Sequence, residues 1–215
     1  MTRVKVCGIR RIEDASLAVE LGASALGFIF WPSSPRFVEP EHARDIVSRL
    51  PPFVAAVGVF VDQPANYVAD VARALKLSLV QLHGREAVGD YVGRGLRVVK
   101  AVPVGPDTGA EDALLQLPAE VGVLLDAHDP VRRGGTGQTI DWEQAGRLAR
   151  TRAVILSGGL NADNVRGAIA TVRPYAVDVS SGVESGPGVK AADKLKAFFA
   201  AVEIEQGVRG ASSSV

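Results

Sequence analysis

The sequence has few of the features that mark secreted, membrane-bound or nucleic-acid-binding proteins. It has one cysteine, Cys7, which excludes a disulfide framework within the chain. No uncharged apolar run reaches the ~18 residues of a membrane-spanning helix, and no basic-then-apolar secretory signal begins the chain. Lys plus Arg number 24 and Asp plus Glu number 24, so there is no basic surplus for binding nucleic acid. We therefore expect a soluble, cytoplasmic protein that has neither a nucleic acid nor a membrane as partner.

Histidine is equally scarce. Only His42, His83 and His128 are present, and His42 falls in a predicted helix. A metal-dependent sugar-phosphate epimerase would need several histidines around one ion. We therefore expect no metal site.

What the sequence does have is a regular alternation of short apolar runs and amphipathic runs over 215 residues, of which 47% are hydrophobic. Eight apolar runs have strand character, at residues 4–7, 25–30, 54–61, 77–82, 96–102, 121–126, 153–156 and 175–179. Helical patterns follow them at residues 12–21, 39–50, 66–75, 85–92 (the weakest), 107–117, 142–149, 161–170 and 191–202. This order predicts an α/β fold, a single-domain (β/α)8 TIM barrel, with a doubly wound open sheet as the competing architecture.

The predicted barrel forms one catalytic domain at residues 1–206. Residues 207–215 are rich in serine and glycine and differ in composition from the rest of the chain. They are predicted to form a disordered C-terminal tail.

Polar side chains follow several of the predicted strands. In a parallel barrel the chemistry lies at the carboxyl ends of the strands, and alternation decides which side chains point inward. Cys7 and Lys5 share the inner face of strand 1, His83 ends strand 4, Asp126 ends strand 6 and Asp178 lies in strand 8. We therefore expect these groups to converge on one mouth of the barrel.

Each of these residues also has a purely structural interpretation. A lone cysteine is often a small buried hydrophobic residue, Asp126 could cap a turn, and His83 could bond to a loop. Lys5 and Asp178 could form an internal ion pair, because strands 1 and 8 are neighbours in a closed barrel. The joint placement of a thiol and a carboxylate at strand ends favours a functional site.

Glycine-rich loops follow strands 7 and 8. Loops in these positions often hold a phosphate in this fold, through backbone N–H groups and a helix N-terminus. Asn161 is a possible N-cap for the helix after strand 7, and ordinary turn glycines are the alternative interpretation. The predicted phosphate-binding residues are Gly158, Gly159, Ser180, Ser181 and Gly182.

Two further loops are candidates for contact with a ligand. Residues 134–142 are too rich in glycine for a plain connector, which suggests a mobile lid or a loop packed down by Trp142. Arg36 lies in the loop after strand 2, where its guanidinium could clamp a carboxylate or remain a solvated surface charge.

In their order and spacing, several short motifs resemble the phosphoribosylanthranilate isomerase family of tryptophan biosynthesis. The resemblance extends to about residue 203. The motifs are VKVCGI at 4–9 with EDA at 13–15, SPR at 34–36, VGVF at 57–60, QLHG at 81–84, LLD at 124–126, the glycine loop at 134–137, SGGL at 157–160, DVSSG at 178–182 and PGVK at 187–190. Arg10, where threonine is usual, and Ile140, where phenylalanine is common, depart from the pattern.

The resemblance implies an isomerase that converts N-(5′-phosphoribosyl)anthranilate to 1-(2-carboxyphenylamino)-1-deoxyribulose 5-phosphate. Asp126 would be the general acid and Cys7 the general base. Arg36, His83 and Asp178 would bind the substrate, with Arg36 on its carboxylate. The only expected partner is a small phosphorylated molecule, no cofactor is expected, and the chain would be a monomer or a homodimer.

Cys7 needs thiolate character to act as a base. Lys5 on the same face could lower the thiol pKa. Alternatively, Lys5 is committed to Asp178, and Cys7 is activated by the substrate or by local dipoles. Rival functions are the same rearrangement of a histidine-pathway aminoaldose and a non-catalytic barrel that binds phosphorylated metabolites.

Overall fold

Eight parallel strands close into a barrel in the computed structural model, which describes residues 2–105, 108–127 and 140–212. Each strand pairs with its neighbours in chain order, and the last pairs with the first, so the (β/α)8 prediction is confirmed and the open sheet is excluded. The strands are β1 (Arg3–Cys7), β2 (Ala25–Ile29), β3 (Ala55–Phe60), β4 (Leu79–Leu82), β5 (Val98–Val104), β6 (Gly122–Ala127), β7 (Val154–Leu156) and β8 (Ala176–Val179).

A helix follows each of these strands, as the amphipathic patterns predict. Pro40 begins the second helix, where its missing N–H costs nothing, and the Asp141 side chain caps the sixth by accepting from two backbone N–H groups. The helices are α1 (Ile12–Glu20), α2 (Pro40–Val47), α3 (Ala65–Ala74), α4 (Gly89–Val92), α5 (Ala110–Gln116), α6 (Trp142–Ala149), α7 (Val165–Val172) and α8 (Ala192–Ser212). The short α4 corresponds to the weakest pattern.

Side-chain alternation along the strands separates two apolar layers. Val4 and Val6 of β1 belong to the large cluster between strands and helices. Val99, Ala101 and Leu124 form a smaller cluster inside the barrel. The inner face of each strand therefore ends, at its carboxyl end, in the mouth where the polar residues were predicted.

The segment after β8 contains an element that the sequence patterns did not predict. A 3-10 helix (Ser181–Val183) is followed by the antiparallel strands β9 (Glu184–Gly186) and β10 (Val189–Lys190). Gly188 turns this hairpin with a positive φ of 76°, which glycine adopts without strain. The hairpin brings Glu184 and Lys190 to the mouth of the barrel.

The C-terminal segment differs from its prediction. Helix α8 extends to Ser212, so residues 207–212 are helical rather than part of a disordered tail. Once a helix is nucleated, adding residues to its end costs little. Residues 213–215 lie outside the described residues.

Two other predicted features concern residues around β6. The glycine loop at 134–137 and His128 lie outside the described residues. Trp142 is the first residue of α6, and its ring packs against Gly167 of α7. Among the described residues, no helix is long and apolar enough to cross a membrane.

Candidate active site

A cavity of about 440 Å³ opens at the carboxyl ends of the strands, within the usual size range for a small-molecule site. Ile29, Val59 and Val61 contribute apolar wall. The structure brings to this one cavity the following predicted site residues: Cys7, Arg36, His83, Asp126, Asp178 and Ser180.

Lys5 and Asp178 form a buried ion pair at the cavity, whose lining includes Asp178. They are register partners in the β1–β8 pairing, and Lys5 Nζ lies 2.8 Å from Asp178 Oδ1. Burial alone would lower the pKa of Lys5, but the Asp178 carboxylate, with a further contribution from Cys7, outweighs it and raises that pKa well above its ordinary value. The internal ion pair considered from the sequence is therefore present, and the Lys5 ammonium stays charged.

Cys7 ends β1 with its thiol at the cavity wall. Burial raises the pKa of this thiol, and the nearby charges of Lys5 and Lys190 only partly oppose that effect. Lys5 is therefore paired with Asp178 and at the same time lowers the pKa of the Cys7 thiol, although burial has the larger effect. Burial therefore opposes formation of the Cys7 thiolate in the ligand-free protein.

Gly27 of β2 provides the space that the thiol occupies. A Cβ at Gly27 would lie 2.8 Å from Cys7 Sγ and 3.2 Å from Lys5 Cε. Real Cβ atoms do not approach neighbours as closely as the first of these distances. A glycine inside a strand often marks such a close approach, and here it sets the position of Cys7.

Asp126 and His83 are joined across β6 and β4. His83 Nε2 lies 3.0 Å from Asp126 Oδ2, and His83 Nδ1 lies 3.0 Å from Gln81 Nε2. His83 therefore bonds to Asp126 rather than to a loop. Because Asp126 is 5% exposed and lines the cavity, it faces the ligand space and does not cap a surface turn.

Arg36 is buried and paired, which excludes its interpretation as a solvated surface charge. Its Nε and Nη2 donate to both oxygens of Glu184 at 2.8 to 3.1 Å, the bidentate geometry of strong Arg–carboxylate pairs. Lys190 Nζ adds a contact of 2.8 Å to Glu184 Oε1. Burial opposes ionisation of Glu184, but Arg36 and Lys190 outweigh it and keep the pKa of this carboxyl below its usual value.

Lys190 also ties the end of β1 to the segment after β8. Its ammonium donates to the carbonyl oxygen of Cys7 at 2.6 Å and to that of Ser180 at 3.2 Å. Sequence reasoning assigned no role to Glu184 or Lys190. The only sequence signal was the Pro187–Lys190 motif, because an isolated Glu and Lys in a loop have no periodicity to interpret.

The two predicted phosphate loops lie against each other. Gly158 and Gly159 have positive φ values of 88° and 60°, and a Cβ at Gly182 would collide with the carbonyl oxygen of Leu160. The predicted N-cap is displaced: Asn164 precedes α7, while Asn161 accepts from the N–H groups of Asp163 and Asn164 in the turn before it. Gly182 therefore permits contact between the loops after β7 and β8.

In the part of the chain that the structure describes, no group of three or more His, Cys, Asp or Glu side chains is placed to hold a metal ion. The polar groups instead surround an organic-ligand-sized cavity, with a thiol on one wall and a carboxyl on another. Fold and cavity together define the class: a (β/α)8-barrel protein with its polar site at the carboxyl ends of the strands.

Comparison with known proteins identifies the family within that class. Residues 4–201 match the family model described as N-(5′-phosphoribosyl)anthranilate (PRA) isomerase. The protein of that name from Geobacter sulfurreducens is 49% identical over 201 residues, covering 93% of this chain and 97% of the relative. The chain belongs to the N-(5′-phosphoribosyl)anthranilate isomerase family.

Solved structures of proteins from the same family are similar to this chain. A phosphoribosylanthranilate isomerase in complex with reduced 1-(o-carboxyphenylamino)-1-deoxyribulose 5-phosphate has a TM-score of 0.84 and 44% identity, covering 94% of this chain and 99% of that one. The structure of monomers generated from the dimeric isomerase of Thermotoga maritima has a TM-score of 0.84 and 43% identity. It also covers 94% of this chain and 99% of that one.

Proposed function

We propose that this protein catalyses the Amadori rearrangement of N-(5′-phosphoribosyl)anthranilate to 1-(2-carboxyphenylamino)-1-deoxyribulose 5-phosphate, an aldose–ketose isomerisation of tryptophan biosynthesis. The observation that carries the proposal is the meeting of Cys7 and Asp126 in one cavity of a chain that belongs to this family. The reaction needs one acid and one base on different sides of a small sugar.

Asp126 acts as the acid. It transfers a proton to the furanose ring oxygen, the bond from that oxygen to C1′ breaks, and the nitrogen lone pair forms an iminium. Cys7 then removes the C2′ proton, and the C–H electron pair becomes the double bond of an enolamine. Tautomerisation moves the enol proton to C1′ and gives the ketone. The iminium takes up the electron pair, so these steps require no redox cofactor, pyridoxal phosphate or metal.

Arg36 binds the anthranilate carboxylate. Its bonds to Glu184 use Nε and Nη2, so we assign Nη1 to the substrate. The proposed phosphate site lies at the touching loops of Gly158–Gly159 and Ser180–Gly182, where glycine backbone can approach an oxyanion closely. Asp178, held by Lys5, and His83, held by Asp126, line the space between these ends.

Turnover of the purified ribotide tests the function. Cys7→Ser and Asp126→Asn should each lower kcat by at least ~100-fold, because general acid–base groups contribute ~10²–10⁴-fold. Asp70→Asn, on the exposed face of α3, is the matched control and should keep wild-type turnover. Circular dichroism confirms that the variants are folded. A folded wild type that binds the ribotide without converting it would indicate a binding barrel instead, and near-wild-type turnover by Cys7→Ser would defeat the mechanism.

The proposed assembly is a monomer or a homodimer. The Thermotoga maritima relative is described as dimeric, and Phe53, which precedes β3, is 95% exposed in this chain, where a second copy would cover it. Light scattering over a range of concentrations separates the two states. The mass of one 22.5 kDa chain at every concentration would exclude the dimer.

A further inference from the structure

Gln81 of β4 is a buried polar residue that the mechanism above does not use. Its side chain lies on the same face of the strand as His83, lines the cavity and is 2% exposed. Its Nε2 lies 3.0 Å from His83 Nδ1. Its Oε1 is buried and has no hydrogen-bond partner among the described residues. Buried polar atoms are nearly always paired, so an unpaired one calls for an explanation.

The chemistry of the two contacts fixes the proton on His83. An amide nitrogen only donates, so a hydrogen bond from Gln81 Nε2 requires a lone pair on His83 Nδ1. A neutral imidazole with a lone pair on Nδ1 carries its proton on Nε2. That N–H points at Asp126 Oδ2, 3.0 Å away. Oδ2 is then an acceptor, and it holds no proton of its own in this hydrogen bond.

We propose that Gln81 is a positioning residue that holds His83 as the Nε2–H tautomer and thereby makes Oδ1 of Asp126 the oxygen that carries the acidic proton. The assignment of the acidic proton to Oδ1 rests on the proposed function, whereas the assignment of the tautomer does not. When Oδ1 gives its proton to the substrate, the O–H electron pair stays on Oδ1. The His83 N–H on Oδ2 stabilises the carboxylate that results.

The unpaired Oε1 fits this role. If the Gln81 amide rotated by half a turn, Oε1 would gain a partner only when His83 Nδ1 is protonated. His83 Nε2 would then either accept a hydrogen bond from a protonated Oδ2 of Asp126, or His83 would be an imidazolium beside an ionised Asp126. Both states remove the proton from Oδ1, so the orientation that leaves Oε1 unpaired is the productive one.

The charged groups on neighbouring strands do not distinguish the two neutral tautomers of His83. Asp126 on β6 contacts His83 directly, and Asp178 on β8 is close enough to interact with it electrostatically. Lys5 on β1 neutralises Asp178 through the 2.8 Å ion pair, which leaves Gln81 to decide the tautomer.

Histidine nitrogen NMR of the substrate-free protein reads the tautomer directly. With only three histidines in the chain, the His83 signals are assigned by their loss in His83→Asn. At pH 8 we expect the Nε2–H pattern in the wild type. Gln81→Met keeps the side-chain length and removes the donor, so it should give a mixture of tautomers. Gln63→Met, which loses an amide bonded to backbone groups of Phe30 and Val61, should leave the His83 signals unchanged.

Kinetics gives an independent reading. Gln81→Met should lower kcat roughly tenfold with little change in KM, the size expected for one neutral hydrogen bond. Gln81→Glu presents an acceptor to Nδ1 and holds the His83 proton there, which is the unproductive arrangement, so its kcat should fall further. It also serves as the second variant if Gln81→Met does not fold.

A wild-type Nδ1–H pattern would overturn the proposal, as would a folded Gln81→Met with unchanged His83 signals and unchanged kcat. An inactive wild type that shows the Nε2–H pattern would refute the proposed function while leaving the tautomer assignment intact.

Discussion

Replacing Gly27 with alanine would put a methyl group where the Cys7 thiol lies. The new Cβ would be 2.8 Å from Cys7 Sγ and 3.2 Å from both Cys7 Cα and Lys5 Cε. Non-bonded carbon atoms pack best at about 3.5–4.0 Å. Either the thiol or the β1 backbone must therefore move by about 0.5–1 Å, because that is the difference between these distances and an ordinary contact.

The expected cost is moderate for stability and large for activity. Overpacking a core costs about 1–3 kcal/mol, and replacing a strand glycine by alanine returns about 0.5–1 kcal/mol. A net loss of about 1–2 kcal/mol corresponds to a fall in Tm of about 2–8 °C in a chain of this size. A catalytic group displaced by about 1 Å can lose about 100-fold in rate, so kcat/KM for the ribotide should fall by about that factor.

Gly122→Ala is the matched control, since Gly122 is also a glycine in a barrel strand. Its Cβ would lie 3.1 Å from Val99 Cγ2, away from Cys7. Thermal unfolding and ribotide turnover are measured for both variants, and Gly122→Ala should keep wild-type turnover. Wild-type turnover in folded Gly27→Ala, or an equal loss in the two variants, would refute the idea that Gly27 positions the thiol.

Three further predictions follow from the charges around the cavity. Arg36→Ala should raise KM for the ribotide more than it lowers kcat, because a lost charged hydrogen bond costs about 1.5–3 kcal/mol; an unchanged KM would contradict the assignment. The lowered pKa of Glu184 means that its contribution to stability is present above the ordinary carboxyl pKa and disappears as pH falls through the lowered value. Glu184→Gln should therefore make the free energy of unfolding less dependent on pH in the acid range, and denaturant titrations that show the same acid dependence as wild type would oppose this. The rate of alkylation of Cys7 by iodoacetamide should keep rising with pH beyond about 8.5, the ordinary thiol pKa, because burial raises the pKa of this thiol. A rate that levels off below pH 8 would instead show a thiolate in the free protein.

Some of the site was predictable because geometry follows directly from strand order. Alternation places Lys5 and Cys7 on the inner face of β1, and closure of the barrel makes β1 and β8 neighbours. The Lys5–Asp178 pair then follows from register, although the two residues are 173 positions apart. Asp126 and His83 were brought to the same mouth by the same argument, since each ends a strand.

Neither strand order nor register predicts the pairing of Arg36 with Glu184. Arg36 lies in the loop after β2 and Glu184 in the hairpin after β8, 148 positions away. Apolar periodicity specifies strands and helices, but nothing in it specifies which cation in one loop meets which anion in another. The two strands of the hairpin have only three and two residues. They are too short to show an alternation of apolar and polar residues. The contacts of Glu184 and Lys190 are therefore visible only in the folded structure.

Lys5 was correctly predicted to lie beside Cys7, but that position alone does not decide whether the thiol pKa is raised or lowered. Lys5 is close to the thiol and lowers its pKa, even though its ammonium is also held by Asp178. Burial then decides, and it raises the thiol pKa. A base with a raised pKa is scarce as thiolate in the free protein but strongly basic once formed. In the proposed reaction Cys7 first loses its proton to solvent, and the positive charge of the iminium then stabilises the thiolate until it accepts the C2′ proton. Between turnovers the protonated thiol reacts slowly with alkylating agents and oxidants, because the thiolate is the reactive form.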